Sequence, residues 1–280
     1  MRRLLTVLAA LALPAAVLAV WVGGVVGDTD RWVATVSPLA DEPAVQREVE
    51  DRLVRQTTRA VDEGLGSAAA AALEPVLRPA ARSVVEGPAF PRAWEAAHRD
   101  AHDDLLAILE DRPDAPRDGR ISVGLDGVVR PVVEQLAADA PLPIDPAALP
   151  PVPGSFAIAE VADVDAARTA YVVLDRLRIV LPLVWLALAG LALLVGRARA
   201  LRGLGVGAVA GAVVVLAVAY GIPFVFAGGV PEADVELARA VADVVTRDLR
   251  TAGLVMAAAG LAAVVVGAVA GRFSGGRAPR

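Results

Sequence analysis

The chain contains four long runs of apolar residues, separated by segments in which charged residues recur. The runs cover residues 4–26, 179–195, 204–227 and 252–271, and none of them contains a charged residue. A helix of about 20 residues is needed to cross the hydrocarbon core of a bilayer. The pattern therefore predicts four transmembrane helices.

The first run has two interpretations. Two arginines precede it, and residues 17–19 (Val-Leu-Ala) would serve as a signal-peptide cleavage site. The apolar stretch nevertheless continues to residue 26 without a polar region, so it is longer than the apolar core of a signal peptide. We interpret residues 1–27 as an uncleaved signal anchor.

The polar segment 28–175 is long enough to form a domain of its own. Its first half shows apolar residues at helical spacing. This spacing predicts a short helix after Asp30, a helix that starts at Pro43, and helices over 67–85 and 91–110.

The second half of this segment changes period. Alternation of apolar with polar or small residues predicts short strands near 121–125 and 155–161, which can pair as a ribbon. A helix over 126–136 and a proline-rich connector over 141–154 are expected between them.

The polar residues before the second and fourth runs also follow a helical pattern. The apolar stripe through Tyr171, Leu174 and Leu177 continues into the second run without glycine or proline. A similar stripe over 235–249, in the outer loop 228–250, precedes the fourth run. We expect two helices that rise continuously out of the membrane and pack against the outer domain.

These patterns predict a mainly α fold. It consists of a four-helix transmembrane bundle and a large, mostly helical extracytoplasmic domain, with the small two-stranded β ribbon as an optional part. The domains are the anchor 1–27, the extracytoplasmic domain 28–175 and the membrane region 176–280.

Composition supports a membrane protein. Hydrophobic residues make up 56% of the chain, and the mean hydropathy is +0.57, above the values of ordinary soluble domains. The chain contains no cysteine, which excludes disulfides and thiolate metal sites.

Charge predicts the orientation of the four helices. With both termini inside, the inner segments carry eight arginines and no acidic side chain, and the outer segments carry the other 19 of the 27 basic residues and all 32 carboxylates, a net charge of −13. Basic residues concentrate on the cytoplasmic side of membrane proteins. The inner arginines are Arg2, Arg3, Arg197, Arg199, Arg202, Arg272, Arg277 and Arg280.

His98 and His102, the only histidines, lie four residues apart on one predicted helix, a spacing that can place two imidazoles on one metal ion. No third ligand is identifiable, so both are weak metal candidates and a packed, structural role is the better interpretation. The nearby carboxylates Asp100, Asp103 and Asp104 lack calcium-loop spacing and indicate a solvated acidic face. No cofactor and no catalytic residue is predicted.

Small residues recur every four positions in three of the apolar runs. This spacing lets helices approach closely. Packing within one bundle is the favoured interpretation, and a homo-oligomer interface is the alternative. The residues are Ala19, Gly23, Gly27, Gly203, Gly207, Gly211, Ala263, Gly267 and Gly271.

Four segments carry a family resemblance: DTDRWV at 28–33, SPLADEPAVQ at 37–46, WEAAHRDAH at 94–102 and VGLD at 123–126. With them, the chain resembles a group of uncharacterised actinobacterial integral membrane proteins. The resemblance implies an anchor, a helical exported domain, three further spans and a Gram-positive-type cell membrane. The family pattern has asparagine where this chain has His98, which weakens the metal hypothesis.

We expect a non-enzymatic, multi-pass protein of the cell membrane whose acidic exported domain binds an envelope protein or wall polymer. A transporter or channel component is the alternative, although the apolar runs offer no ionisable group for carrying ions or protons. An exported hydrolase is the third hypothesis. The lipid bilayer is the expected surrounding, and no basic surface for nucleic acid is indicated.

Overall fold

The computed structural model describes residues 2–116, 120–124, 155–160, 163–229, 231 and 235–274. The chain is mainly helical and divides into two compact units. One unit is Thr29–Arg168, and the other joins Met1–Asp28 to Thr169–Arg280. The predicted helix over 126–136 and the connector over 141–154 lie outside the described residues.

The unit Thr29–Arg168 begins with four α-helices and one turn of 3₁₀-helix. The helices α3 and α4 pack together, and α2 packs on α5. The predicted helix over 67–85 coincides with α4, which continues through Pro75 and Pro79. The elements are α2 (Thr29–Val36), the 3₁₀ turn (Ser37–Asp41), α3 (Pro43–Leu65), α4 (Ser67–Val85) and α5 (Phe90–Leu109).

Local sequence explains where these helices begin and end. Proline lies in the first turn of both α3 and α5, where its missing N–H costs nothing. Gly66 separates α3 from α4 with φ of 87°, a conformation that L side chains rarely adopt. A single residue can therefore end one helix and start the next.

The core of this unit consists of apolar side chains at helical spacing. Val45, Val49 and Leu53 of α3 are buried, as are Leu73 and Leu77 of α4. Burying a leucine or valine side chain contributes about 1.5–3 kcal/mol. The apolar stripes therefore determine which faces of α3 and α4 meet.

The end of α5 is closed by a left-handed residue and an arginine. Asp111 has φ of 56°, and the Arg112 N–H donates to the Ala107 carbonyl at 2.9 Å, the pattern of a Schellman cap. Arg168 donates its Nε–H to the Ile108 carbonyl at 2.8 Å and pairs with Asp111 at 2.6 Å. A cation at a helix C-terminus is favoured by the helix dipole.

Two short strands follow in this unit. They are β1 (Arg120–Gly124) and β2 (Ser155–Glu160), which pair antiparallel with an irregularity between Ile121 and Ser122. Strand β1 lies next to α5.

The other unit contains three helices that are long and apolar enough to cross a membrane: α1 (Arg2–Gly27), α6 (Val164–Gly228) and α7 (Val235–Ser274). Helix α6 begins in the unit Thr29–Arg168 and contains the second and third apolar runs. Helix α7 joins 235–250 to the fourth run without a break, across Thr251 and Gly253.

The segment between the second and third runs contains a break in the helix. Residues 196–203, the inner segment expected between these runs, are helical except at Arg197. The Arg197 backbone has φ of 39° and ψ of −124°, which divides α6 into two helical parts. One non-helical residue is therefore sufficient to separate the two helical parts.

Candidate functional site

His98 and His102 lie on α5 within a cluster of aromatic rings. The Trp32 ring of α2 stacks on His102 at 5.4 Å between centroids and 19° between planes, and lies 6.3 Å from His98. The Trp94 ring lies 4.3 Å from His98 at a tilted angle. The two imidazoles therefore pack with Trp32 and Trp94 in an aromatic cluster between α2 and α5.

Hydrogen bonds determine the tautomer of His102, which is only 3% exposed. The Thr29 hydroxyl donates its single proton to Asp103 Oδ1 at 2.8 Å. The His102 Nδ1 atom lies 3.1 Å from the same hydroxyl oxygen. Because a carboxylate only accepts, the His102 Nδ1–H must be the donor to Thr29. This bond fixes the orientation of the ring.

His98 lies in a different environment. Burial lowers the pKa of His98 to about 4, so its ring is neutral at pH 7. Its buried Nδ1 atom has no hydrogen-bond partner among the residues that the structure describes. Within those residues there is also no group of three or more histidine, cysteine or carboxylate side chains placed to hold a metal. The metal hypothesis for the histidine pair gains no support from these contacts.

Hydrogen bonds beside the aromatic cluster connect α2 and the following 3₁₀ turn to α5. The Trp94 indole N–H donates to the Val36 carbonyl at 3.0 Å. Ser37 donates to Glu95 at 3.0 Å. These contacts give the cluster a structural role.

The face of α5 beside the aromatic cluster is strongly acidic. The pKa of Asp104 is raised, first by burial and then by the charges of Asp100, Asp103 and Asp114. Asp100 and Asp103 are exposed. A concentrated negative surface of this kind attracts cationic partners.

A buried carboxylate joins α3 to α4. Glu50, with a side chain only 7% exposed, accepts hydrogen bonds from Arg78 at 3.0 Å and Arg82 at 3.2 Å. Arg78 also pairs with Asp51 at 2.7 Å. Both arginines line a shallow groove along α4. The sequence does not reveal this network, because nothing in the local pattern distinguishes Glu50 from the exposed carboxylates of α3.

The small residues at the start of the third run lie against α1. A Cβ on Gly203 would lie 2.6 Å from Thr6, and a Cβ on Gly207 would lie 2.5 Å from the Ala10 Cβ. Gly211 lies against Pro14, with a corresponding distance of 3.1 Å. The partners advance by four residues on both helices, so α1 and the second part of α6 run in the same direction.

The small residues at the end of α1 lie against the first part of α6. A Cβ on Gly23 would lie 2.9 Å from the Arg178 side chain, and Gly27 lies against Tyr171. The residue number of the partner on α6 falls as the residue number on α1 rises, so these two helices run in opposite directions. Ala19 is also buried.

In α7, Gly267 and Gly271 lie against Arg202, while Ala263 is half-buried. The backbones of α6 and α7 also approach closely at Gly205 and Gly260. A Cβ on Gly205 would lie 2.6 Å from the Gly260 carbonyl oxygen. The sequence pattern does not indicate this pair, because Gly205 and Gly260 fall outside the four-residue series of small residues.

Comparison of the chain with protein-family models, with curated proteins and with solved structures found no match.

Proposed function

We propose that the chain is a multi-pass protein of the cell membrane that crosses the bilayer four times. Both termini are cytoplasmic, and the acidic domain 28–175 is exported and binds an envelope protein or wall polymer. Three long apolar helices support membrane insertion. The break at Arg197 supports the fourth crossing, because it separates two apolar parts of α6 that run in opposite directions along α1.

The observation that carries the proposal is the separation of charges. Thr6, Gly203 and Gly271 belong to one end of the apolar unit, since Gly203 lies against Thr6 and Arg202 lies against Gly271. Arginines flank all three positions, whereas residues 1–27, 176–231 and 249–280 contain no side-chain carboxylate. A basic, acid-free end is the cytoplasmic end under the positive-inside rule.

Close packing inside the chain favours a bundle over an oligomer interface at the small residues. Gly23, Gly203, Gly207 and Gly267 each contact another helix of the same chain. These faces are occupied, so a second copy has no access to them.

A reporter that is active only in the cytoplasm tests the orientation. Fused after Arg280 it should be active, and inserted into the 141–154 connector it should be silent. The opposite pair of results would show that the acidic domain lies inside and would overturn the proposal.

A photo-crosslinking residue at Asp100 tests the binding role in native membranes. We expect adducts with an envelope component, and fewer of them when Asp103 and Asp104 are changed to asparagine. The matched control carries the crosslinker at Ala72, an exposed position on α4. Equal labelling from both positions would contradict a specific acidic binding face.

A further inference from the structure

Arg202 is an exposed arginine with a fixed side chain. Its Nη2–H donates to the Ala268 carbonyl of α7 at 2.9 Å. The aliphatic part of the Arg202 side chain lies against Gly267. The guanidinium lies against Gly271, where an added Cβ would be 2.8 Å from Nη2. Gly267 and Gly271 thus leave a groove on α7 that holds the Arg202 side chain in place.

Other arginines are close to the same end of the helices. Arg199 lies one turn before Arg202, Arg272 follows Gly271 directly, and Arg3 lies one turn before Thr6, which contacts Gly203. All three are exposed. We call Arg3, Arg199, Arg202 and Arg272 the arginine end.

The segments that meet at the arginine end supply no side-chain counter-charge. These segments, 1–27, 176–231 and 249–280, contain no aspartate or glutamate. Like charges held together repel one another, and the repulsion is relieved when an anion binds between them. An anion that relieves this repulsion therefore comes from outside these segments.

Exposed apolar side chains beside the arginine end indicate the nature of this anion. Val206 is 60% exposed one turn beyond Arg202 on the same helix face, and Val269 of α7 is 46% exposed. Such surfaces contact acyl chains, while guanidinium groups at the helix ends reach the headgroup level. A free phosphate would satisfy the arginines and leave the valine surface uncovered.

We infer that the arginine end binds the phosphate of an anionic phospholipid, with Arg202 as its fixed contact and the acyl chain along Val206. This inference rests on the proposed membrane insertion with the arginine end in the cytoplasmic leaflet, where anionic lipids attract basic residues.

The test uses the full chain, extracted from phosphatidylcholine membranes that contain a minor fraction of phosphatidylglycerol. Native mass spectrometry measures the phosphatidylglycerol retained on the protein. The wild-type chain should retain it preferentially. Arg202→Gln should weaken retention about fivefold, the effect of one arginine near an anionic surface. The control Arg176→Gln, at an exposed position near the other end, should leave retention unchanged.

Gly271→Ala is the second variant, because it displaces the guanidinium while keeping every charge. It should lower retention to between the wild-type and Arg202→Gln values. Unchanged retention in Arg202→Gln, or equal loss in Arg176→Gln, would overturn the inference. Displacement of the lipid by excess inorganic phosphate would also overturn it, because the site would then bind free anion. The reporter after Arg280 gives the orientation separately, so a failure of lipid binding is distinguishable from a failure of the topology.

Discussion

At the scale of single residues, the environment determines what a side chain can do. His98 and His102 have the same chemistry and lie one turn apart, yet His102 is held by Thr29 while His98 packs between tryptophan rings. Gly207 and Gly190 are both helix glycines, yet a Cβ on Gly207 would collide with Ala10 and a Cβ on Gly190 would meet nothing within 4 Å.

The stability of the unit Thr29–Arg168 should fall in acid through His98. Its folded pKa of about 4 lies below the ordinary value of 6.5, so the unfolded chain binds the proton more tightly. The contribution of neutral His98 to the free energy of unfolding is complete above pH 6.5. It falls by about 3 kcal/mol as the pH is lowered towards 4. Denaturation at pH 7, 5 and 4, followed by tryptophan fluorescence, measures this loss. His98→Gln should remove that part of the pH dependence, and an unchanged profile would refute the assignment.

Gly207→Ala should destabilise the apolar helices. The new Cβ would lie 2.5 Å from the Ala10 Cβ and 3.1 Å from its Cα. Relief requires a backbone shift, and overpacking of this kind costs about 1–3 kcal/mol. Gly190→Ala is the control and should be neutral or slightly stabilising, since alanine favours helix. Thermal unfolding in detergent compares them, and equal midpoints would contradict close packing at Gly207.

At the scale of elements, a few contacts decide how one helix meets the next. Glu50 connects α3 to α4 from a buried position, whereas Glu48 pairs with Arg52 and Arg55 near the surface. Arg197 decides where α6 changes direction. The Glu50 contact depends on burial, and the change of direction depends on the Arg197 backbone. The spacing of hydrophobic residues along the sequence indicates neither.

Glu50→Gln should loosen the packing of α3 on α4. The buried carboxylate accepts from two arginines, and hydrogen bonds to charged groups contribute about 1.5–3 kcal/mol each at most. Both arginines are more than half exposed and remain hydrated, so we expect a total loss of about 1–3 kcal/mol. Glu48→Gln should cost below about 0.5 kcal/mol, as surface pairs do. Chemical denaturation of both variants gives the comparison, and equal losses would contradict the bridging role.

Arg197→Gly should stabilise the chain. The Arg197 φ of 39° with ψ of −124° is strained for a residue with a Cβ and is accessible to glycine. Relief of such strain contributes about 1 kcal/mol or more. Arg199→Gly, in a helical position of the same segment, should instead cost about 1 kcal/mol. Thermal unfolding of the two variants should therefore shift in opposite directions; shifts in the same direction would argue against strain at Arg197.

At the scale of the whole molecule, charge and hydrophobicity are segregated. The carboxylates lie within residues 28–175 and 232–248, while the apolar helices share an acid-free end. This distribution supports both the orientation and the inferred lipid contact. The packing of the outer domain on the extensions of α6 and α7 stays a prediction, which spin labels at Val241 and Asp243 would test.

The first apolar run should stay attached to the mature protein. Thr6, Ala10 and Pro14 of α1 lie against Gly203, Gly207 and Gly211, so cleavage near Ala19 would remove these contacts. A chain with one tag at each terminus should give a single product that carries both tags. A shorter product with the C-terminal tag alone would identify the run as a cleaved signal peptide.

The sequence by itself determined the helical class, the apolar runs and the starts of helices such as α3. These properties depend on local periodicity, on proline placement and on the cost of leaving backbone groups unpaired in lipid. The continuity of α7 from 235 into the fourth run was also predictable, because one helical stripe extends towards that run.

Only the tertiary structure decided which surfaces meet. It determined that Gly267 and Gly271 accommodate Arg202, that Gly205 faces Gly260, that Glu50 is buried and that His98 lies between two tryptophans. Each of these features joins residues far apart in the chain. Their contacts depend on the direction and rotation of packed helices, which the spacing of residues along a single helix does not specify.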